Sequence, residues 1–495
     1  MALDPRTPVL VGVGQAIQRA DGVEDALEPA ALMAEAVRAA ATDAQLAGVP
    51  SPDSIRVVNS LSWRYRDPAR LLADLLGLDV RETAYTTASG NTPQLLVNAT
   101  ANDLAAGRLD AALIVGGECW RTRMRARRSD AFLSWTKLPD DTKPDRTFGE
   151  DVPMSHPGEM ERGLVMPVQL YPIFETAVRA AAGEGVEDHQ TKVSELWARF
   201  AAVAVENPFA WSRQPLSAEE IRTPGPDNRM IGFPYPKYMN SNNDVDLASA
   251  LFKCTAVKAE ALGVPRDRWV FPHAGTDCHD HYFVSERDQL GASPAVRVGG
   301  RRVLELAGTG VDDIEVVDLY SCFPSAVQVG AAELGLGTDR QLTRTGGLSF
   351  AGGPWNNYVG HAIATVVQDL RARPGALGLV WGNGGYLTKH SFGVYSTEPP
   401  AGGFRHDAPQ AEIDVLPRRE LAEPADAQGP VAVEGYTVMH SREGAPEIAY
   451  AACLLPDGRR VWGTSNDEGV AAALCEGEWV GRHVVLDAEG VLSVG

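Results

Sequence analysis

Three stretches of the chain combine residue types and spacings that bear on chemistry. The first is Tyr85-Thr86-Thr87-Ala88-Ser89-Gly90-Asn91-Thr92-Pro93-Gln94. A β-rich run enters it and a helical pattern leaves it. Such a joint presents backbone amides and a helix N-terminus to a ligand, which favours negative charge. Ser89 brings a hydroxyl to the joint, without a neighbouring base in sequence to activate it. The second stretch is Arg121, Arg123, Arg125, Arg127 and Arg128, the densest basic cluster in the chain. Guanidinium groups in this pattern suit an anionic ligand such as a nucleotide phosphate, or a solvated arm that balances acidic neighbours. The third is Asp277-Cys278-His279-Asp280-His281, with His273 upstream. His279 and His281 would share one face of an extended strand. No paired Cys/His spacing completes a tetrahedral set, so a polar, hydrogen-bonded strand end is expected there and no metal site.

Several signatures are missing. The sequence has no Gly-x-x-x-x-Gly-Lys, no Gly-x-Gly-x-x-Gly after a strand and no Gly-x-Ser-x-Gly. A bound nucleotide cofactor and a serine-hydrolase elbow are therefore not expected. Of 495 residues, 45 are Lys or Arg and 65 are Asp or Glu, a formal net charge of −20. That balance argues against a nucleic-acid partner, whose binding is driven by basic side chains. No apolar run approaches the ~20 residues that span a bilayer. Met1-Ala2-Leu3-Asp4-Pro5 lacks the basic and apolar regions of a signal peptide, and none of the six cysteines forms a Cys-x-x-Cys pair. Reduced thiols and a cytoplasmic location are the expectation.

The elements that must position these residues alternate between strand and helix. A β-rich run at Thr7–Val13 leads to a helical pattern behind Pro29, then a strand at Ile55–Leu61 and a helix at Ala69–Leu76 that stops at Gly77. Gly90 precedes a helix to Ala106 and the apolar strand Asp110–Val115. Later, Gly352-Gly353-Pro354 precedes a helix at Asn357–Arg373 and the strand Ala376–Val380. The repeated glycine–helix–strand order predicts a duplicated α/β unit with helices covering mostly parallel sheets. The expected units are 1–120 with 232–285 as the first half, 121–231 as an inserted cap and 286–400 as the second half. A linker at 401–430 leads to an all-β module at 431–495. In that module three strands, a helix at Asp467–Cys475 and two further strands follow the order of an OB-like barrel.

With the Gly90 joint, the Gly116-Gly117-Glu118 strand end and the long insertion after it, residues 7 to 400 resemble the thiolase family. The similarity is strongest to its sterol-carrier-protein thiolase branch and to thiolase-like proteins (type 1) with an extra C-terminal barrel. The resemblance implies a five-layered αβαβα fold. It also implies four catalytic motif positions, and here each holds a different residue. The nucleophilic Cys position falls on Gly90, flanked by Ser89 and Asn91. The Asn-Glu-Ala-Phe loop falls on Tyr320-Ser321-Cys322-Phe323. Gly-His-Pro falls on Gly352-Gly353-Pro354. The second Cys falls on Trp381, in Trp381-Gly382-Asn383-Gly384-Gly385. Without the thiol there is no covalent acyl intermediate, and loss of the whole set removes the thiolase mechanism.

The remaining groups offer few substitutes. Cys119 and Cys322 read as small buried apolar groups, and His361 as helix packing. Tyr320 can donate a hydrogen bond to a developing oxyanion. It matches a Tyr-Asp-x-Phe loop of thiolase-like retro-aldolases, with Ser321 in place of the Asp. Resemblance alone would assign acetyl-CoA acetyltransferase chemistry. The reading preferred here is a protein that binds a CoA thioester or similar acyl ligand without that chemistry. Arg121, Arg123, Arg125, Gly384 and Gly385 would surround the ligand. The alternatives are an acyl-CoA lyase using Tyr320 and a scaffold whose barrel docks a partner. The resemblance implies a homodimer, or a monomer where the barrel covers the pairing surface.

Overall fold

Helices Thr92–Ala105 and Tyr358–Arg371 lie against each other at the centre of the molecule, and each touches both large sheets. Leu96, Val97, Ala101 and Leu104 are buried on the first, and nearly every residue of the second up to Leu370 is buried. Their buried polar residues, Asn98 and His361 among them, are hydrogen-bonded to neighbouring elements. In this computed structural model, residues 3–494 are described. Met1, Ala2 and Gly495, at the ends of the first and last expected units, lie outside the described residues.

The first sheet runs in the order Pro8–Ile17, Asp246–Thr255, Ala111–Cys119, Ser54–Val57, Glu82–Thr86, Arg146–Phe148. The second runs Ile314–Leu319, Leu377–Gly384, Lys389–Ser396, Phe271–His279, Arg405–Asp407. Helices Pro29–Asp43 and Pro68–Leu76 cover the outside of the first sheet, and Pro294–Ala307 and Pro324–Leu334 that of the second. The five layers are therefore helix, sheet, paired helices, sheet, helix. Gly77 ends its helix as expected, in the left-handed conformation at φ 66° that glycine adopts without a Cβ penalty.

Four expectations are corrected. Phe271–His279 was expected with the first half, but it pairs antiparallel with Lys389–Ser396 and so belongs to the second sheet. Its residue pattern shows which face is buried, not which sheet it joins. Segment 401–430 is not a free linker. Arg405–Asp407 adds a parallel edge strand beside Phe271–His279, and Gln410–Asp414 is helical. Arg121–Arg128 is not an arm but part of the helix Trp120–Ser129. The strand expected to reach Leu61 ends at Val57.

The insertion adds the helices Pro167–Ala182 and Val186–Glu206 and lays Arg146–Phe148 along the edge strand Glu82–Thr86. At the C-terminus, Gly429–His440 pairs with Pro446–Leu454 on one side and His483–Leu486 on the other. Arg460–Ser465 and Leu492–Ser493 extend the two sides. A parallel bridge between Thr464 and Val491 brings those edges together. Val431, Val433, Val438, Val461 and Leu474 form a core of its own.

This module is fastened to the rest by buried polar groups. Thr176 Oγ1 donates to the Tyr436 carbonyl at 3.0 Å and accepts from the Tyr436 amide at 2.9 Å. Arg460, fully buried, donates to the carbonyls of Val284, Ser285 and Arg287 at 3.0, 2.8 and 2.7 Å. Trp462 Nε1 donates to Ser285 Oγ at 2.9 Å. Among the described residues no helix is long and apolar enough to cross a membrane.

Candidate functional site

The joint before the central helix is built by its own side chains. Thr92 Oγ1 donates back to the Ser89 carbonyl at 2.7 Å, and Pro93 occupies the first helical turn, where its missing N–H costs nothing. Ser89 Oγ donates to Asn91 Oδ1 at 2.6 Å. Asn91 Nδ2 donates to Ser391 Oγ at 2.9 Å, and Ser391 Oγ donates to Asp277 Oδ1 at 2.5 Å. Asp277 is also held by Asn98 Nδ2 and by His406 Nε2 at 2.7 Å. Ser89 and Asn91 thus tie the joint to the second sheet.

Gly90 is a glycine because of crowding, not backbone angle. A Cβ on Gly90 would lie 2.4 Å from the Asn383 carbonyl oxygen and 2.6 Å from the Tyr320 hydroxyl. Tyr320 leaves the end of strand Ile314–Leu319, is 7% exposed, and packs edge-on to Tyr358 at 5.5 Å between ring centres. Its phenol occupies the place where a side chain at position 90 would begin. Burial pushes the Tyr320 phenol above its ordinary range, so it is a neutral donor at physiological pH.

Asn383 turns its Nδ2 toward Tyr171 Oη at 3.0 Å. Tyr171 also accepts from the Leu387 amide and donates to the Gly385 carbonyl. It comes from the cap helix Pro167–Ala182 and stacks on Phe323 at 4.5 Å. Asn383 Oδ1 is buried and meets no donor among the described residues. Cys322 lies beside Tyr171, and burial pushes its thiol up to about 12. Gly384 faces the joint closely: a Cβ there would lie 1.9 Å from Ser89 Oγ. Gly385 makes the turn that follows, at φ 69°.

Gly90, Ser89, Asn91, Tyr320, Cys322, Asn383, Gly384 and Gly385 are therefore brought together. Trp381 is not. Its ring packs outward, where a Cβ on Gly330 would come 2.3 Å from a ring carbon, and its indole donates to His390 Nδ1 at 3.3 Å. Successive strand residues face opposite ways, so Gly382 looks inward instead, with the site of its missing Cβ 3.1 Å from Asn91 Cα. Gly353 packs against a different segment. Its missing Cβ would lie 2.1 Å from Ser241 Oγ, and its carbonyl accepts from Asn243 Nδ2 at 2.7 Å. His361 sits inside the central helix and bonds Gln15 Oε1 at 2.7 Å.

The arginines are occupied separately. Arg121 pairs with Asp244 at 3.2 Å, and Arg125 donates to the Ala20 carbonyl at 2.7 Å. Arg123 donates to the Leu61 carbonyl at 2.6 Å and lines a cavity of about 880 Å³ with Arg64, Arg66, Lys137 and Lys143. A second cavity, of about 380 Å³, opens beside the Gly90 joint between Ser89, Asn91, Asp277, His279 and Lys389. Tyr171 and the Asn91–Ser391–Asp277 chain were missed by sequence reasoning. Their partners are hundreds of residues away, and no local spacing signals them.

The arrangement offers hydrogen-bond donors and a phenol, but no thiol at position 90. No curated protein matches the sequence. Residues 409–491 match the thiolase-like protein type 1 additional C-terminal domain. Among solved structures, the chain is similar to a monomeric SCP2-thiolase like protein type 1 from Mycobacterium smegmatis. The two are 31% identical, with 100% of each chain covered and a TM-score of 0.84. An Ltp2-ChsH2(DUF35) aldolase shares 18% identity over 79% of this chain and 98% of that one, at a TM-score of 0.58. The dimeric peroxisomal thiolase of Saccharomyces cerevisiae shares 13% over 80% and 99%, at 0.56. These last two share the fold. Fold, C-terminal module and whole-length identity together lead to one conclusion: the chain belongs to the thiolase-like protein type 1 family.

Proposed function

We propose that this thiolase-like protein binds a CoA-type acyl thioester, or a similar anionic acyl ligand, and does not carry out thiolase chemistry. The observation that carries the reading is the Tyr320 hydroxyl seated over Gly90, in the space a nucleophile would need. Claisen thiolysis needs a thiolate to take the acyl group. Cys322, at the same floor, has its thiol pushed up to about 12 by burial and so carries no thiolate near neutral pH. Ligand binding is supported by the two cavities. Both fall in the ~300–1,000 Å³ range of small-molecule sites, and the larger gathers Arg64, Arg66, Arg123, Lys137 and Lys143 in a protein of net charge −20. Basic side chains so grouped suit the phosphates of CoA. The similarity to a monomeric relative favours a monomer, and the strand pairing of the C-terminal module is read as an OB-like barrel.

Two measurements test this. Calorimetry with CoA and acetoacetyl-CoA is expected to show saturable binding. A coupled thiolysis assay with acetoacetyl-CoA is expected to show no turnover. Binding absent at high ligand concentration defeats the first part, and turnover at the rate of a working thiolase defeats the second.

A second reading, an acyl-CoA lyase of retro-aldol type, is favoured by the same Tyr320 hydroxyl and by the similarity to a protein named an aldolase. A neutral buried phenol can donate to the oxyanion that forms as the carbon–carbon bond breaks. A Tyr320→Phe variant that keeps full lyase activity excludes it.

A further inference from the structure

Lys389 begins the strand Lys389–Ser396 and stands directly opposite His279 on its antiparallel neighbour. Opposed residues of such a pair share a face of the sheet, and both line the cavity of about 380 Å³ beside the Gly90 joint. Tyr282 brackets the pair. Its ring stacks on His279 at 4.1 Å between centres, and its centre lies 5.9 Å from Lys389 Nζ. Lys389 is half-buried, and Nζ donates to the neutral Glu150 carbonyl at 2.9 Å. The carboxylates that line the cavity are engaged by other donors. Glu150 accepts from the Tyr282 hydroxyl at 2.5 Å, and Asp277 from Ser391, Asn98 and His406. Burial pulls the Lys389 amine below its ordinary value, against the opposing charges of Glu150 and Asp151, and so enlarges the fraction of free amine.

A free amine in a half-buried cavity is a nucleophile towards carbonyl carbon. His279 is placed as its acid–base partner. Its Nδ1 faces the Asp280 carbonyl at 2.8 Å, a group that only accepts, so Nδ1 carries the proton and the neutral ring keeps a lone pair on Nε2. Leu95 and Ala408 supply apolar wall for a hydrocarbon chain. We propose that Lys389 forms an imine with a ketone-bearing ligand in this cavity. Nζ attacks the carbonyl carbon and a C–N bond forms. His279 Nε2 carries the two amine protons in turn to the oxygen, and the C–O bond breaks as water leaves. Amine and ketone thus give imine and water, with no oxidant or reductant consumed. The same cavity supports the acyl-ligand reading above, but a plain ketone carries no CoA, so a failed trapping leaves the calorimetry with CoA to decide that reading by itself.

The test is borohydride trapping on the intact chain with 2-pentanone, read by intact-mass spectrometry and peptide mapping. A single reduced adduct is expected, on Lys389 and on no other lysine, with a yield that saturates as ketone is raised. The imine reverts in water, so the mass is unchanged when borohydride is left out. Lys389→Arg keeps a cation for the Glu150 carbonyl and is expected to lose the adduct with its thermal unfolding midpoint retained. His279→Gln should slow trapping by roughly tenfold or more and flatten its pH dependence, since the proton carrier is gone. No adduct, an adduct spread over several lysines, or a yield that rises without saturation overturns the proposal. So does an undiminished trapping rate in His279→Gln.

Discussion

The floor around Gly90 and the junction that fastens the barrel treat buried polarity in opposite ways. At Gly90 the side chain has been removed and the space refilled by a neutral phenol and a backbone carbonyl. At the junction, charged groups are kept and buried: Arg460 against Glu434 and three carbonyls, and Arg287 against the Tyr386–Thr388 turn. A catalytic floor keeps reactive groups poised at a cost in stability. Here position 90 carries no reactive side chain, and the junction uses its buried charges for attachment. The thiolase scaffold is retained, while the space at Gly90 is taken by the Tyr320 hydroxyl and the Asn383 carbonyl.

The largest expected effect is at the junction. Arg460→Ala leaves Glu434 and three carbonyls without their donor, and should cost about 3–5 kcal/mol. A fall in the thermal unfolding midpoint, with earlier proteolytic loss of the barrel, would record it. An unchanged midpoint would break the contrast. At the floor, Gly90→Ala forces a Cβ against Asn383 and Tyr320 and should cost about 1–3 kcal/mol by overpacking. Tyr320→Phe removes only one of the two clashes, so the double variant should recover part of that loss. A denaturation cycle over the four proteins reads the coupling, and strict additivity would show that the two residues do not meet.

The two regions should also differ in the sign of their pH dependence. Burial pushes Asp318, two residues before Tyr320, up to about 6. A carboxyl raised in the folded state holds its proton longer than in the unfolded chain. Its contribution is therefore present in acid and lost as pH rises from about 4 towards 6. Burial works against the Asp280 carboxylate at the junction, but His390, Arg287 and Ser293 outweigh it and hold it below its ordinary value. Its contribution is present above the ordinary carboxylate range and lost as pH falls through the folded value. Asp318→Asn should flatten the first slope alone, and Asp280→Asn the second. Stability profiles across acidic pH that change identically in both variants would contradict the assignment. The smallest effect is expected for Tyr320→Phe by itself, within about 1 kcal/mol of the parent in chemical denaturation.

Much of the architecture was legible because it is local. The helix after Gly90, the helix ending at Gly77 and the repeated glycine–helix–strand order all follow from spacing within a few turns. What failed depended on distant partners. A one-residue difference along Leu377–Gly384 decides whether Trp381 or Gly382 faces the centre, and aligned motifs do not fix strand facing. Phe271–His279 reads as a strand in either sheet until its partner is known. The role of Tyr320 was half legible: its position followed from the family pattern, but its closeness to Gly90 needed the fold. Tyr171 was not legible at all, since the cap that carries it reaches the floor only in three dimensions.

Intact-mass spectrometry after incubation with acetoacetyl-CoA shows whether any side chain of this protein accepts an acyl group. An unmodified chain is expected at all incubation times, for the parent and for Gly90→Ala alike. A stoichiometric acyl adduct that maps to any of the six cysteines, Cys322 foremost, would contradict it.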